Sequence, residues 1–153
     1  MRIALTVVAI LSFSMTLEAA EPFVGTWKLN VGKSKLTGNS VNISSETMMI
    51  SKTGPKAFRT TIDSVSKSGQ TRHFEINRTY DGKEHPATGV GFKQEGATEI
   101  DQRVDASTRH IVSKRDGKVR NELTSTVSSD GKTMTNTTRR ADGSEDIEVF
   151  DRQ

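Results

Sequence analysis

The chain carries three histidines, His73, His85 and His110, and no cysteine. Imidazole and thiolate supply most of the metal binding and much of the nucleophilic chemistry open to side chains, so the scarcity of both narrows the field at once. None of the histidines has a second ligand residue at the spacing of a recognised zinc motif. Without thiols there are no disulfides, thiolate zinc sites, Fe–S clusters or cysteine nucleophiles. Serine and threonine are abundant, yet no Gly-x-Ser-x-Gly elbow presents one as a nucleophile, and no glycine-rich loop is laid out to cradle a phosphate. Carboxylates fall mainly at turns and on outward strand positions, where no pair is set up as acid and base for sugar chemistry. The expectation is a protein without catalysis, cofactor or metal.

Charge points away from nucleic acid as well. The 22 Lys and Arg residues stand against 19 Asp and Glu, a net +3, and they alternate with Glu, Asp and Thr rather than gathering into a stripe. Aromatic residues make up 5% of the chain, too few for a base-stacking surface. The N-terminus has its own logic: Arg2, an apolar run from Ile3 to Phe13 broken only by Thr6 and Ser12, and Ala19-Ala20 before Glu21-Pro22. That is the layout of a secretory signal over residues 1–20, cut after Ala19 or Ala20. The run is too short to remain as a bilayer span, and no later stretch approaches the roughly 20 apolar residues that a span needs. Residues 21–153 are thus expected to form one soluble, secreted or periplasmic domain.

The elements that would position any site are strands. From Phe23 onward, short runs bearing Thr, Val and Ile are separated by turn signals, with no sustained 3.6-residue apolar stripe. Asp81-Gly82, Asp116-Gly117, Asp130-Gly131 and Asp142-Gly143 mark turns, with Ser68-Gly69 a weaker one. Asp-Gly suits a two-residue hairpin because both central residues take positive φ. The resulting strands are Phe23–Leu29, Ile43–Ser51, Phe58–Ser66, Thr71–Thr79, Thr98–Val104, Thr108–Arg115, Lys118–Ser128, Lys132–Arg140 and Ser144–Asp151. The fold class is all-β, an antiparallel up-and-down meander of about 8–10 strands, closed into a barrel because a flat sheet would leave long edges exposed.

Two-residue turns would fix which residues face inward. Pairing across Asp130-Gly131 sets Val127 against Met134, Ser125 against Asn136 and Leu123 against Thr138. Pairing across Asp142-Gly143 sets Thr138 against Ile147 and Asn136 against Val149, while the Asp116-Gly117 hairpin adds His110, Val112, Val119 and Asn121 to the same face. That face mixes apolar side chains with His110, Asn121, Ser125, Asn136 and Thr138. Either cross-strand hydrogen bonds and water satisfy the polar groups, or they line a cavity for an amphipathic ligand; the two accounts are compatible. The expected lining is His110, Val112, Asn121, Leu123, Ser125, Asn136, Thr138 and Val149.

Phe23-Val24-Gly25-Thr26-Trp27-Lys28-Leu29, with its Gly-x-Trp, resembles the entry motif of the calycins, the lipocalins and fatty-acid-binding proteins. Ile147-Glu148-Val149-Phe150-Asp151-Arg152 is similar to the last strand of the intracellular fatty-acid-binding proteins. The opening, together with Lys33-Ser34-Lys35 and Asp81-Gly82-Lys83-Glu84-His85-Pro86-Ala87-Thr88-Gly89, resembles small secreted bacterial proteins with lipocalin-like domains, largely uncharacterised. The resemblance implies a lipocalin-like barrel in which Trp27 plugs the closed end against a late basic residue, Arg140 or Arg152. It also implies that the last strand would turn Glu148 and Phe150 inward, opposite to the hairpin register. The Arg and Tyr with which fatty-acid-binding proteins hold a carboxylate are replaced by Glu148 and Phe150, so that clamp is missing. Residues 30–42 are too few for the two-helix lid of those proteins, and a short loop is expected to cover that end. The function expected is non-catalytic binding of a small, partly apolar molecule; the alternative is a structural or interaction domain with a filled interior and a working rim over Lys83–Gln94. No protein partner is legible.

Overall fold

The computed structural model describes residues 21–153, so the targeting segment expected over residues 1–20 lies outside the described residues. Eleven strands form one antiparallel sheet: β1 (Gly25–Leu29), β2 (Ile43–Gly54), β3 (Ala57–Ser66), β4 (Thr71–Thr79), β5 (Glu84–Pro86), β6 (Thr88–Val90), β7 (Ala97–Arg103), β8 (Thr108–Arg115), β9 (Lys118–Val127), β10 (Thr133–Arg140) and β11 (Glu145–Arg152). Their order is β5-β7-β8-β9-β10-β11-β1-β2-β3-β4-β6, so the last strand returns beside the first and the sheet curls into a nearly closed barrel. Two 3₁₀ turns, Val31–Lys33 and Gly38–Asn42, follow β1. No helix among the described residues is long and apolar enough to cross a membrane.

Eleven is one more than the expected 8–10, and the two strands absent from the nine named above, β5 and β6, come from one segment. Residues 84–86 pair with β7 and residues 88–90 pair with β4, so the chain crosses from one edge of the sheet to the other. Beside this crossing, Arg78 on β4 donates from Nε to Glu99 Oε2 on β7 at 3.0 Å. The Asp81–Gly89 motif now has a structural task. Asp81 Oδ1 accepts from the Lys83 N–H at 3.0 Å, turning the chain into the crossing. Gly89 (φ +152°) lies so close to β4 that a Cβ would overlap the Glu75 carbonyl.

Registers diverge from the two-residue-turn expectation in an instructive way. Across Asp130-Gly131 the pairs Val127–Met134, Ser125–Asn136 and Leu123–Thr138 form as expected, because a loop longer by two residues preserves the alternation. Asp116 (φ 49°) and Gly117 (φ 74°) form the expected turn, with positive φ at both positions. A bulge between Ser113 and Lys114 then moves the pairing by one, setting Ile111 opposite Leu123 and Arg109 opposite Ser125. At Asp142-Gly143 the loop has three residues, closed by Arg140 N–H to the Ser144 carbonyl (2.9 Å) and Gly143 N–H to the Arg140 carbonyl (3.0 Å). An odd loop flips β11, and Asn136 pairs with Glu148 and Met134 with Phe150.

The core gathers Phe23, Trp27, Leu29, Met48, Ile50, Phe58, Val127, Met134 and Phe150. Trp27 is fully buried, donates from its indole N–H to the Phe23 carbonyl at 2.9 Å, and carries the Arg152 guanidinium 4.0 Å above its ring. Arg152 also donates to the Val24 carbonyl at 2.8 Å. Gly25 makes that crossing possible, since a Cβ there would stand 2.5 Å from Arg152 Nη1. The Gly-x-Trp spacing thus has a steric reason: the glycine clears a path for the cation that caps the tryptophan. Arg140, the other basic residue expected over Trp27, lies at the opposite end, bound to Asp146, because the three-residue loop turns it toward the 3₁₀ turns.

Candidate functional site

At the end opposite Trp27, the second 3₁₀ turn leans over the barrel. Asp146 holds it there, accepting from the Thr37 N–H (2.6 Å), Thr37 Oγ1 (2.6 Å) and Ser40 Oγ (2.7 Å) while paired with Arg140. The Lys67 N–H of the β3–β4 turn donates to the Asn42 carbonyl at 2.7 Å, fastening the other side. Between these ties lies a mouth of about 690 Å³, bordered by Ser40, Ile43, Glu46, Lys67, Arg72 and Phe74. Ser40, Ile43, Glu46 and Phe74 also line an interior cavity of about 270 Å³, so the mouth opens into it. This size lies just below the ~300–1,000 Å³ usual for small-molecule sites.

The interior walls are apolar, from Met48, Ile50, Ile62, Ile111, Leu123 and Met134, with polar groups set among them. Ser125 Oγ donates to Asn136 Oδ1 at 2.7 Å, so this buried pair is satisfied across the strands and also lines the cavity. Leu123, Ser125 and Asn136 are therefore brought together at the cavity wall. The other expected lining residues are not. The bulge in the β8–β9 hairpin turns His110 and Val112 to the outer face, where His110 Nε2 lies 3.6 Å from Glu122, itself half exposed. Asn121, beside that bulge, pairs with Ser113 and Arg140 away from the cavity. Val149 is displaced by the flip of β11, and Thr138 sits opposite Asp146 near the mouth, outside the cavity wall.

In their place stand charged residues. Arg109 and Asp101 form an ion pair whose side chains are 4% and 2% exposed, with Arg109 Nε 3.2 Å from Asp101 Oδ1. The Arg109 guanidinium lies 4.9 Å from the centre of the Phe58 ring and 5.3 Å from that of Phe23, filling the barrel below the cavity. Arg78, which also reaches the cavity, is tied to Glu99. Glu46 and Glu148 complete the wall, without any such partner among the described residues. Burial, and then the nearby Glu148, push the Glu46 carboxyl up to about 7. Burial, and then Asp146, raise Glu148 to about 7, with Arg140 opposing. Asp146 goes the other way: burial alone would raise it, but Arg140, Thr37 and Ser40 together hold it at about 2.

Stability should follow these shifts. A carboxyl raised on folding binds its proton more tightly in the native state, so its contribution is complete below about pH 4.5 and is lost as pH rises through about 7. Asp146, depressed on folding, contributes above about 3.8 and loses that contribution as pH falls through about 2. Urea denaturation across pH is expected to show a maximum near pH 4–5, with a decline of about 1–3 kcal/mol by pH 8. The variant Glu46→Gln should flatten the decline; an unchanged slope would mean that Glu46 is solvated.

Glu46 had a legible signal. It falls in phase with Met48 and Ile50 on a period of two, a charge on the apolar face of its strand. Arg109, Asp101 and Arg78 gave no comparable sign, because the bulge that turns Arg109 inward has no sequence signature here.

A meandering antiparallel sheet whose last strand closes onto its first, with Gly-x-Trp capped by a late arginine, makes a nearly closed barrel with a fold like that of the fatty-acid-binding proteins. Among solved structures, the chain is similar to the fluorescent protein UnaG, at 17% identity and a TM-score of 0.63, covering 87% of this chain and 98% of that one. It is similar also to Echinococcus granulosus fatty-acid-binding protein 1, at 13% identity and a TM-score of 0.59, covering 86% and 98%. No family model matches the chain, and no curated protein matches it.

Proposed function

We propose that the chain is a non-catalytic binding protein that holds a small, partly apolar ligand inside the barrel, and that it works outside the cytoplasm of a bacterium, in the periplasm or the medium. The observation that carries the binding reading is the cavity itself: apolar walls, a few buried polar groups, and a mouth that leads into it. Support also comes from the neighbouring fold of a protein that binds fatty acids. The filled base, where Phe23, Phe58 and Arg109 pack, limits the occupant to a small molecule or to the end of a longer one. The compartment rests on the signal-like layout of residues 1–20.

Native mass spectrometry of protein purified from its own host tests both parts. The expected species begins at Ala20 or Glu21, comes from the periplasmic or medium fraction, and carries a small molecule that leaves on mild activation. A full-length chain in the cytosol would overturn the compartment. Protein that is empty from its host and takes up no small amphiphile would leave the interaction-domain alternative in possession.

A further inference from the structure

The ionic groups of the barrel interior sort into pairs, and two are left over. Arg109 is matched by Asp101, Arg78 by Glu99 and Arg140 by Asp146. Arg109 and Arg78 on the cavity wall and Arg140 above it therefore each have a carboxylate of their own. Among the described residues, neither Glu46 nor Glu148 has a cation or a hydrogen-bond donor at its carboxyl. They stand on β2 and β11, the two strands that flank β1, and both line the 270 Å³ cavity. Glu46 is 8% exposed, and among the described residues no hydrogen bond or ion pair engages its carboxyl. A carboxylate so deeply withdrawn from water is costly unless a donor or a cation meets it.

We propose that the ligand carries a protonated amine, which sits between Glu46 and Glu148 while its apolar remainder lies against Met48, Ile50 and Ile62. This rests on the binding-protein reading above and names the chemical class of its ligand. An ammonium group is suited to the place because it brings three donors and one positive charge to two acceptor-only groups that lack both. A fatty acid would bring a third negative charge to the same cavity and find neither Arg109 nor Arg78 free to receive it. A hard divalent cation wants six or more oxygens, which this largely apolar wall does not offer. Binding should displace a proton. Burial pushes both carboxyls up to about 7, and an arriving cation favours their ionised form. The other charges facing the pair are Asp146 and Arg140 at the upper rim, tied to each other, and Lys67 and Arg72 at the exposed mouth, where solvent screens them.

Three probes of one length separate charge from apolar fit: octylamine, octanol and octanoate, titrated calorimetrically into the mature protein at pH 7.5. Octylamine is expected to bind about tenfold or more tighter than octanol, with octanoate weakest. Its uptake should release protons to buffer, seen as a heat that varies with the buffer's ionisation enthalpy, and its affinity should fall toward pH 5. Glu46→Gln and Glu148→Gln, close in shape to the parent, should each cost octylamine about tenfold while octanol binding persists, which reports an intact cavity. Octanol or octanoate binding as well as octylamine, or an amine preference that survives both substitutions, would overturn the charge assignment and leave the binding reading standing. Failure of all three probes to bind would remove both.

Discussion

Asp101→Ala is expected to destabilise the barrel by about 3–5 kcal/mol, the usual cost of removing one member of a buried ion pair. Both side chains are almost wholly withdrawn from solvent, and Arg109 is hemmed in by Phe23, Phe58 and Tyr80, with guanidinium-to-ring distances of 5.3, 4.9 and 5.8 Å. Ring faces partly compensate a cation, but they replace neither the hydrogen bonds nor the charge of a carboxylate. The loss therefore comes from stranding Arg109, and the double variant Asp101→Leu, Arg109→Met should recover much of it. Urea denaturation followed by circular dichroism measures both. A single variant that unfolds with the parent would mean that Arg109 finds water or another acid.

Trp27→Ala should cost a similar amount, about 3–5 kcal/mol, for a different reason. The ring is fully buried at the closed end and touches the sheet where β1 meets both β2 and β11. Its removal opens a cavity that the short strand β1 cannot collapse to fill. Arg152→Ala should cost less, about 0.5–2 kcal/mol for the stacked cation, plus the carbonyl contacts it makes. Circular dichroism must report the Trp27 variant, since the substitution removes the only tryptophan. If Trp27→Ala unfolds with the parent, or if Arg152→Ala is the costlier of the two, the plug does not rest on packing.

The strand pattern and the closed end were legible for physical reasons. Turn dipeptides interrupt β-favouring runs at intervals that admit little besides a meander, and Gly25, Trp27 and Arg152 form one steric unit whose parts are individually unusual. Which side chains face inward was less accessible. Alternation converts every one-residue change in loop length or bulge into a full exchange of faces. At Asp130-Gly131 the longer loop left parity intact, so Leu123, Ser125 and Asn136 stand where simple pairing sets them. At Asp142-Gly143 the side chain of Asp142 accepts from the Ser144 N–H at 2.9 Å and supports a three-residue loop, so Val149 yields its place to Glu148. The resemblance of the last strand to fatty-acid-binding proteins carried that outcome where local turn rules did not. His110 and Val112 went outward through the bulge between Ser113 and Lys114, which exchanges the faces of every residue of β8 before it.

The crossing segment gives the barrel an uneven mechanical character. Among the described residues, β4 and β7 face each other with no shared ladder; the three-residue pieces β5 and β6, the Arg78–Glu99 contact and the reach of Arg103 and Arg109 to Tyr80 and Phe58 bind that side. Elsewhere around the circumference, separating two strands means breaking a row of backbone hydrogen bonds together. Here it means pulling apart side chains and the strap, whose Gly82 N–H is tied to the Asp101 carbonyl at 3.0 Å. The wall is thus stitched by backbone around most of its girth and laced by side chains along one line, above a floor riveted by Trp27.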